Sequence, residues 1–117
     1  MIIDTSAFIE MIRKGEFIEG SLSVITVIEI LRGVKPGKRK KVKKLIEESF
    51  EIIHIGNNVI AKYCELYDAL KSKGELIPDA DLIIASTALA RNETLLTKDI
   101  RHFDRLKDLG LKIKIYA

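Results

Sequence analysis

Short apolar runs alternate with longer stretches of helical periodicity along the whole chain, and this alternation restricts the fold more than any other feature. Met1-Ile2-Ile3 begins a buried strand, and Asp4-Thr5-Ser6 turns the chain into a helix through about Lys14. Ser21-Leu22-Ser23-Val24-Ile25 reads as a second strand, after which Thr26 caps a short helix that Gly33 ends. Pro36-Gly37 breaks the chain before a helix through about Ser49, with Val42, Leu45 and Ile46 at helical spacing. Glu51-Ile52-Ile53-His54-Ile55 is a third strand. Asn57 or Asn58 caps a long helix to Lys73, closed by Gly74. Pro78-Asp79 opens another helix through Arg91, with Asp79 a natural N-cap. Thr94-Leu95-Leu96 is a fourth strand, and a helix runs from about Ile100 to Gly110. Leu111-Lys112-Ile113-Lys114-Ile115 alternates like an edge strand.

Strands separated by helices imply parallel βαβ units with right-handed crossovers. The expected fold is α/β, a three-layer α/β/α sandwich with a roughly five-stranded, mostly parallel sheet, built by residues 1–117 as a single domain. Ligands of such sheets bind beyond the carboxyl ends of the strands, so the strand-to-helix turns are the places to inspect.

Those turns carry carboxylates. Asp4 follows the first strand, Glu29 lies in the first turn of the helix after the second, and Asp99 follows the fourth. Asp81 lies in the first turn of the helix opened by Pro78. Each acid has a structural explanation by itself. Thr26-x-x-Glu29 has the form of a capping box, Asp81 and Asp99 suit positive helix N-termini, and Asp4 suits the end of a strand. Jointly they mean more. If the first, second and fourth strands share the centre of the sheet, several like charges meet at one edge, which a divalent cation relieves. An all-oxygen donor set suits Mg²⁺ or Mn²⁺, as one ion or two, and no Cys or His cluster suggests zinc. Two such ions about 3.5–4 Å apart serve phosphodiester hydrolysis. The small hydroxyls Ser6 and Thr97 stand beside Asp4 and Asp99, suited to orienting a carboxylate or touching a phosphate oxygen; Thr5 reads as an N-cap.

Charge is spread unevenly. Residues 35–44 hold seven of the 20 basic residues and no acid, so the remainder is acidic although the whole carries +3. Either a solvated helix face or a polyanion contact explains the tract. Its N-terminal part, Lys38, Arg39, Lys40 and Lys41, opposes the dipole of its own helix, and with Arg32 it is a candidate polyanion contact. The single cysteine, Cys64, forms no internal bridge and reads as a buried apolar side chain. The N-terminus has no signal-peptide pattern and no apolar run is long enough to cross a membrane, so a cytoplasmic protein is expected.

Four segments together resemble one family. Ile2-Ile3-Asp4-Thr5-Ser6 looks like the opening of PIN-domain proteins, and Thr26-Val27-Ile28-Glu29-Ile30-Leu31-Arg32-Gly33 is similar to their second motif. Pro78-Asp79-Ala80-Asp81, leading into Leu82-Ile83-Ile84-Ala85-Ser86-Thr87-Ala88, looks like the third. Leu95-Leu96-Thr97-Lys98-Asp99-Ile100-Arg101-His102-Phe103 looks like the fourth. The ordered set spans nearly the whole chain, and its length and Glu-x-x-x-Gly element resemble the VapC toxin branch of toxin–antitoxin pairs. The resemblance implies an endoribonuclease dependent on Mg²⁺ or Mn²⁺, with Asp4, Glu29, Asp81 and Asp99 at the metal-binding positions. It also implies a homodimer and a VapB-like antitoxin whose C-terminal segment occupies the active-site groove. In the implied mechanism Asp4 and Asp81 anchor a first ion, Glu29 is a ligand or orients water, and Asp99 completes that site or a second. The chain departs from the pattern at His102, where many relatives carry an acid before the Phe.

The other distinctive residues have plainer expected roles. His54 is a strand residue, Phe103 is core, and Tyr63 and Tyr67 share a packed helical face; surface solvation suits His102, Arg32 and Lys98. A phosphatase of another doubly wound fold would want a second acid two residues after Asp4, where Ser6 stands, and a receiver-like domain would want an acceptor Asp after the third strand. The remaining alternative is a catalytically inactive PIN-like module that binds RNA or protein.

Overall fold

The computed structural model describes residues 1–117. Its elements run β1 (Ile2–Ile3), α1 (Thr5–Lys14), β2 (Ser21–Ser23), α2 (Val24–Arg32), a 3₁₀ turn (Pro36–Lys38) and α3 (Arg39–Ser49). They continue with β3 (Glu51–Ile53), α4 (Asn57–Ser72), α5 (Asp79–Ala90), β4 (Leu95–Thr97), a 3₁₀ helix (Asp104–Leu109) and β5 (Ile113–Ile115). The five strands form one sheet in the order β3-β2-β1-β4-β5, and every pairing is parallel. β1 is central. The chain winds outward from it through β2 to β3, then returns to its other side with β4, so the topological switch lies between β1 and β4.

A strand period of two explains the two cores. Ile2 and Leu95 point to one face, where they pack with Leu66, Leu70, Leu82, Ile84 and Phe103. Ile3 and Leu96 point to the other, against Ala7, Phe8, Met11, Leu22 and Ile46. These runs are apolar throughout because both faces of a parallel sheet are covered. Gly20 stands where β2 enters alongside β1; a Cβ there would come within 2.9 Å of both the Met1 carbonyl oxygen and Ile3 Cδ1.

Several boundaries differ from those read in the sequence. Ser23, not Thr26, caps α2, its hydroxyl accepting the Ile25 N–H at 3.2 Å, so β2 stops at Ser23. Thr26 is fully buried inside the helix, and Glu29 falls beyond its first turn, which removes the capping box. β3 ends at Ile53, leaving His54 exposed just past the strand. Gly56 occupies the N-cap of α4, with no side-chain bond from Asn57 or Asn58. Pro78 holds that position on α5, so Asp79 is not a cap; it accepts the Tyr63 hydroxyl at 2.7 Å instead. Beyond Ile100 only Asp104–Leu109 is helical, and it is 3₁₀. Phe103 and Leu106 are both buried, and a three-residue turn is what puts side chains at that spacing on one side. Cys64 is exposed, not buried, because α4 turns Val59, Leu66 and Leu70 inward and Cys64 lies off that face.

Candidate active site

The site begins with an adjacency. β2, β1 and β4 lie side by side, so their carboxyl ends deliver the α2 residues, Asp4 and Thr97 to one edge. α5 brings Asp81 to it in its first turn.

Asp4 is the centre. It is 3% exposed and caps α1, its Oδ1 accepting the Ala7 N–H at 2.8 Å. The same oxygen accepts the Ser6 hydroxyl at 2.8 Å, and Oδ2 accepts the Thr97 hydroxyl. All its partners are neutral, and it forms no ion pair with a Lys or Arg. Burial pushes its carboxyl above the ordinary carboxylate value, opposed by those hydrogen bonds and assisted by the charge of Asp81. Ser6 and Thr97 therefore orient a carboxylate, and each is engaged a second time: Ser6 Oγ accepts the Lys98 N–H at 3.1 Å, and Thr97 Oγ1 accepts the Asp99 N–H at 3.1 Å. The β4 end is thereby tied to α1 through Asp4.

The remaining acids are each held by a separate group. Glu29 Oε1 accepts the Thr5 hydroxyl at 2.7 Å, and Thr26 Oγ1 lies 3.1 Å from the same hydroxyl. Thr5 is thus a positioning group for Glu29, where the sequence reading made it a cap; Asp4 holds the cap. Asp81 is half-buried, and its Oδ2 lies 2.6 Å from His102 Nδ1. Burial raises the Asp81 carboxyl, His102 lowers it, and the charges of Glu29 and Asp99 raise it further. Asp99 faces a different partner: Oδ1 accepts the Arg101 N–H at 3.0 Å and Nε–H at 3.1 Å, and Oδ2 accepts Nη2–H at 2.9 Å. That guanidinium holds the Asp99 carboxyl down to about 2.

The fold therefore brings Asp4, Glu29 and Asp99 each within electrostatic reach of Asp81, with Ser6 and Thr97 beside Asp4. Three participants escaped the sequence reading: Thr5, Thr26 and His102. Thr26 and Glu29 lie three residues apart on one helix face, a spacing that marks neighbours as well as a capping box.

The candidate RNA contacts divide. Arg39 is committed to structure: its Nε donates to the carbonyls of Leu31 at 2.9 Å and Val34 at 3.0 Å, closing the open end of α2. Arg32, Lys38, Lys40 and Lys41 are exposed and pair with no carboxylate. α3 ends where β3 begins, so its basic N-terminal end is the end remote from the amino edge of the sheet.

Hard oxygen donors around a buried, cation-free Asp4 fit a divalent ion such as Mg²⁺ or Mn²⁺. No three His, Cys, Asp or Glu side chains stand close enough to share one ion as they lie, since each acid turns toward its own hydrogen-bond partner.

The PIN-domain sequence profile matches residues 1–109, nearly the entire chain. This chain belongs to the PIN-domain family. Its relatives lie in the VapC branch. It is 40% identical over 116 residues to ribonuclease VapC1 of Methanocaldococcus jannaschii, covering 97% of this chain and 85% of that protein. It is 34% identical over 108 residues to ribonuclease VapC2 of Rickettsia felis, covering 89% of this chain and 79% of that protein. Among solved structures, VapBC2 from Rickettsia felis bound to a promoter DNA fragment superposes with a TM-score of 0.83 at 25% identity, covering 99% of this PIN domain and 98% of that chain. VapBC-1 from nontypeable Haemophilus influenzae gives a TM-score of 0.82 at 22% identity, covering 97% and 96%; that likeness concerns the fold. No helix of this PIN domain is long and apolar enough to cross a membrane.

Proposed function

We propose that this PIN domain is a metal-dependent endoribonuclease and the toxin of a VapBC-type pair, acting on RNA in the cytoplasm. The observation that carries the reading is Asp4, a carboxylate 3% exposed with only neutral partners, facing Asp81. A buried charge with no counter-ion is costly, and an arrangement that keeps one and adds further acids around it suits a divalent cation.

Asp4, Asp81 and Glu29 would hold one or two Mg²⁺ or Mn²⁺ ions, which when bound supply the positive charge that makes water a better nucleophile and steadies the leaving oxygen. Asp99, tied up by Arg101, is the weakest of the four as a direct ligand. The protein's own residues set the geometry. Thr97, Ser6 and the Ala7 N–H fix Asp4 from three directions, so it keeps one orientation. Thr5 fixes Glu29 against α1. Exposed Arg32, Lys38, Lys40 and Lys41 would draw in the RNA backbone by charge. Retention of all four acids favours turnover over a binding module that has lost it.

The partner reading follows the relatives. The Rickettsia felis likeness is a VapBC assembly, which supports a VapB-like antitoxin for this chain and, with the resemblance read from the motifs, a homodimer. The test is RNA cleavage by the purified chain with Mg²⁺, with Mn²⁺ and with chelator, beside Asp4→Asn. Cleavage by the wild type only with metal, and none by the variant, is the expected result; undiminished cleavage in chelator overturns the proposal.

A further inference from the structure

The acid that the sequence pattern assigns to the β4 side of the site has its oxygens engaged by a neighbour. Asp99 has both oxygens on Arg101. His102 instead reaches into the cluster: its Nδ1 lies 2.6 Å from Asp81 Oδ2. This is the only hydrogen bond in the site between two side chains of metal-ligating type, and the imidazole is the only side-chain partner Asp81 has. The ring is 39% exposed, so it is open to an arriving ion.

We propose that His102 takes part in the metal centre as a nitrogen donor beside Asp81, in the place the sequence pattern gave to Asp99, and that this mixed nitrogen–oxygen set favours Mn²⁺ over Mg²⁺. The inference rests on the metal-dependent reading above.

The chemistry follows from ligand preference. Mg²⁺ prefers oxygen ligands, retains its waters and demands near-ideal octahedral geometry, whereas transition ions accept imidazole more readily. Adjacent donors on an octahedral ion with bonds of about 2.1 Å lie about 3 Å apart. The His102–Asp81 pair, at 2.6 Å, therefore has to open by only a few tenths of an ångström to take an ion in the place of the bridging proton. Asp99 would have to give up three hydrogen bonds from Arg101 to do the same. An ordinary surface His–Asp pair would serve as well with the imidazole turned outward. Here the carboxylate it meets is also the one whose charge reaches Asp4 and feels Glu29 and Asp99.

The experiment is Mn²⁺ titration of the full chain followed by electron paramagnetic resonance, with pulsed detection of coupling to ¹⁴N, and calorimetric Mn²⁺ and Mg²⁺ affinities. Wild type, His102→Gln, His102→Asp and Asp99→Asn are compared, with thermal melts as a fold control. The expected wild-type spectrum carries a directly bound nitrogen, lost in His102→Gln and kept in Asp99→Asn. Mn²⁺ affinity falls about tenfold or more in His102→Gln. His102→Asp binds through oxygen alone, and its Mn²⁺-over-Mg²⁺ preference drops about tenfold. Mn²⁺ bound without nitrogen coupling in the wild type overturns this assignment while leaving the metal-dependent reading standing; absence of Mn²⁺ binding overturns both. The wild-type spectrum decides the matter even if a variant fails to fold.

Discussion

Replacing Asp4 by Asn separates the cost of burying a charge from the use made of it. Asn fits the same network. Its Oδ1 keeps the Ala7 N–H and the Ser6 hydroxyl, both at 2.8 Å. Its Nδ2 can donate to Thr97 Oγ1, whose own hydrogen then turns to the Asp99 carbonyl 3.1 Å away. One Nδ2 hydrogen is paired in this way and the second is not, which offsets part of the gain from removing a carboxylate 3% exposed and without a cation. Relief of that desolvation stabilises the metal-free protein by about 1–2 kcal/mol, or roughly 4–8 °C in melting temperature for a domain of this size. Metal reverses the order. At a concentration about a hundredfold above its dissociation constant, an ion stabilises the wild type by about 2.7 kcal/mol and leaves the variant almost unchanged. Differential scanning calorimetry in chelator and in Mn²⁺ reads both effects. Asp4→Ala is the control: it also deletes the α1 cap, at about 1 kcal/mol. If Asp4→Asn melts below the wild type in chelator, or gains as much from Mn²⁺, the account of Asp4 as a buried charge kept for a cation is wrong.

The pH dependence has a defined sign. Asp4 and Asp81 have raised carboxyls, so the folded state holds their protons more tightly; metal-free stability should fall as pH rises from the ordinary value of 3.8 through their raised values. Mn²⁺ affinity should climb over the same interval, because ligands must be ionised; denaturant melts and calorimetry at stepped pH would show a flat profile if the site were solvated. Asp99 contributes oppositely, its stabilisation present above 3.8 and lost as pH falls toward about 2, a small effect that Asp99→Asn should erase from acid titration curves. Thr5→Val removes the hydroxyl that holds Glu29 and should lower RNA cleavage about 10–100-fold with little change in melting temperature, as for other groups that orient ligands; unchanged turnover would remove Thr5 from the site. Gly20→Ala should destabilise by about 1–3 kcal/mol, read by chemical denaturation, because its Cβ meets the Met1 carbonyl and Ile3 at 2.9 Å. Lys40→Glu with Lys41→Glu should weaken RNA binding and flatten its salt dependence without altering stability; an unaltered salt slope would restrict the tract to solvation.

The sequence by itself determined the layers and the inventory. Runs such as Ile2-Ile3 and Leu95-Leu96 can satisfy two covered faces only in a parallel sheet, and the helical stretches between them supply the covers. The order of the four acids was legible from the motifs that carry them, and the hydroxyls beside Asp4 and Asp99 because both acids follow the ends of apolar runs. Partnership was not legible. Whether Thr5 caps a helix or holds Glu29, and whether Thr26 caps α2 or sits beside the Thr5 hydroxyl, depends on contacts between residues more than twenty positions apart. Whether Asp99 or His102 contacts Asp81 was decided in the turn between β4 and the 3₁₀ helix, where Asp99 closes on Arg101 and His102 Nδ1 meets Asp81 Oδ2. Local pattern records which groups can cap, pair or ligate; only the packing of β1, β2, β4 and α5 fixes which of those capacities each group uses.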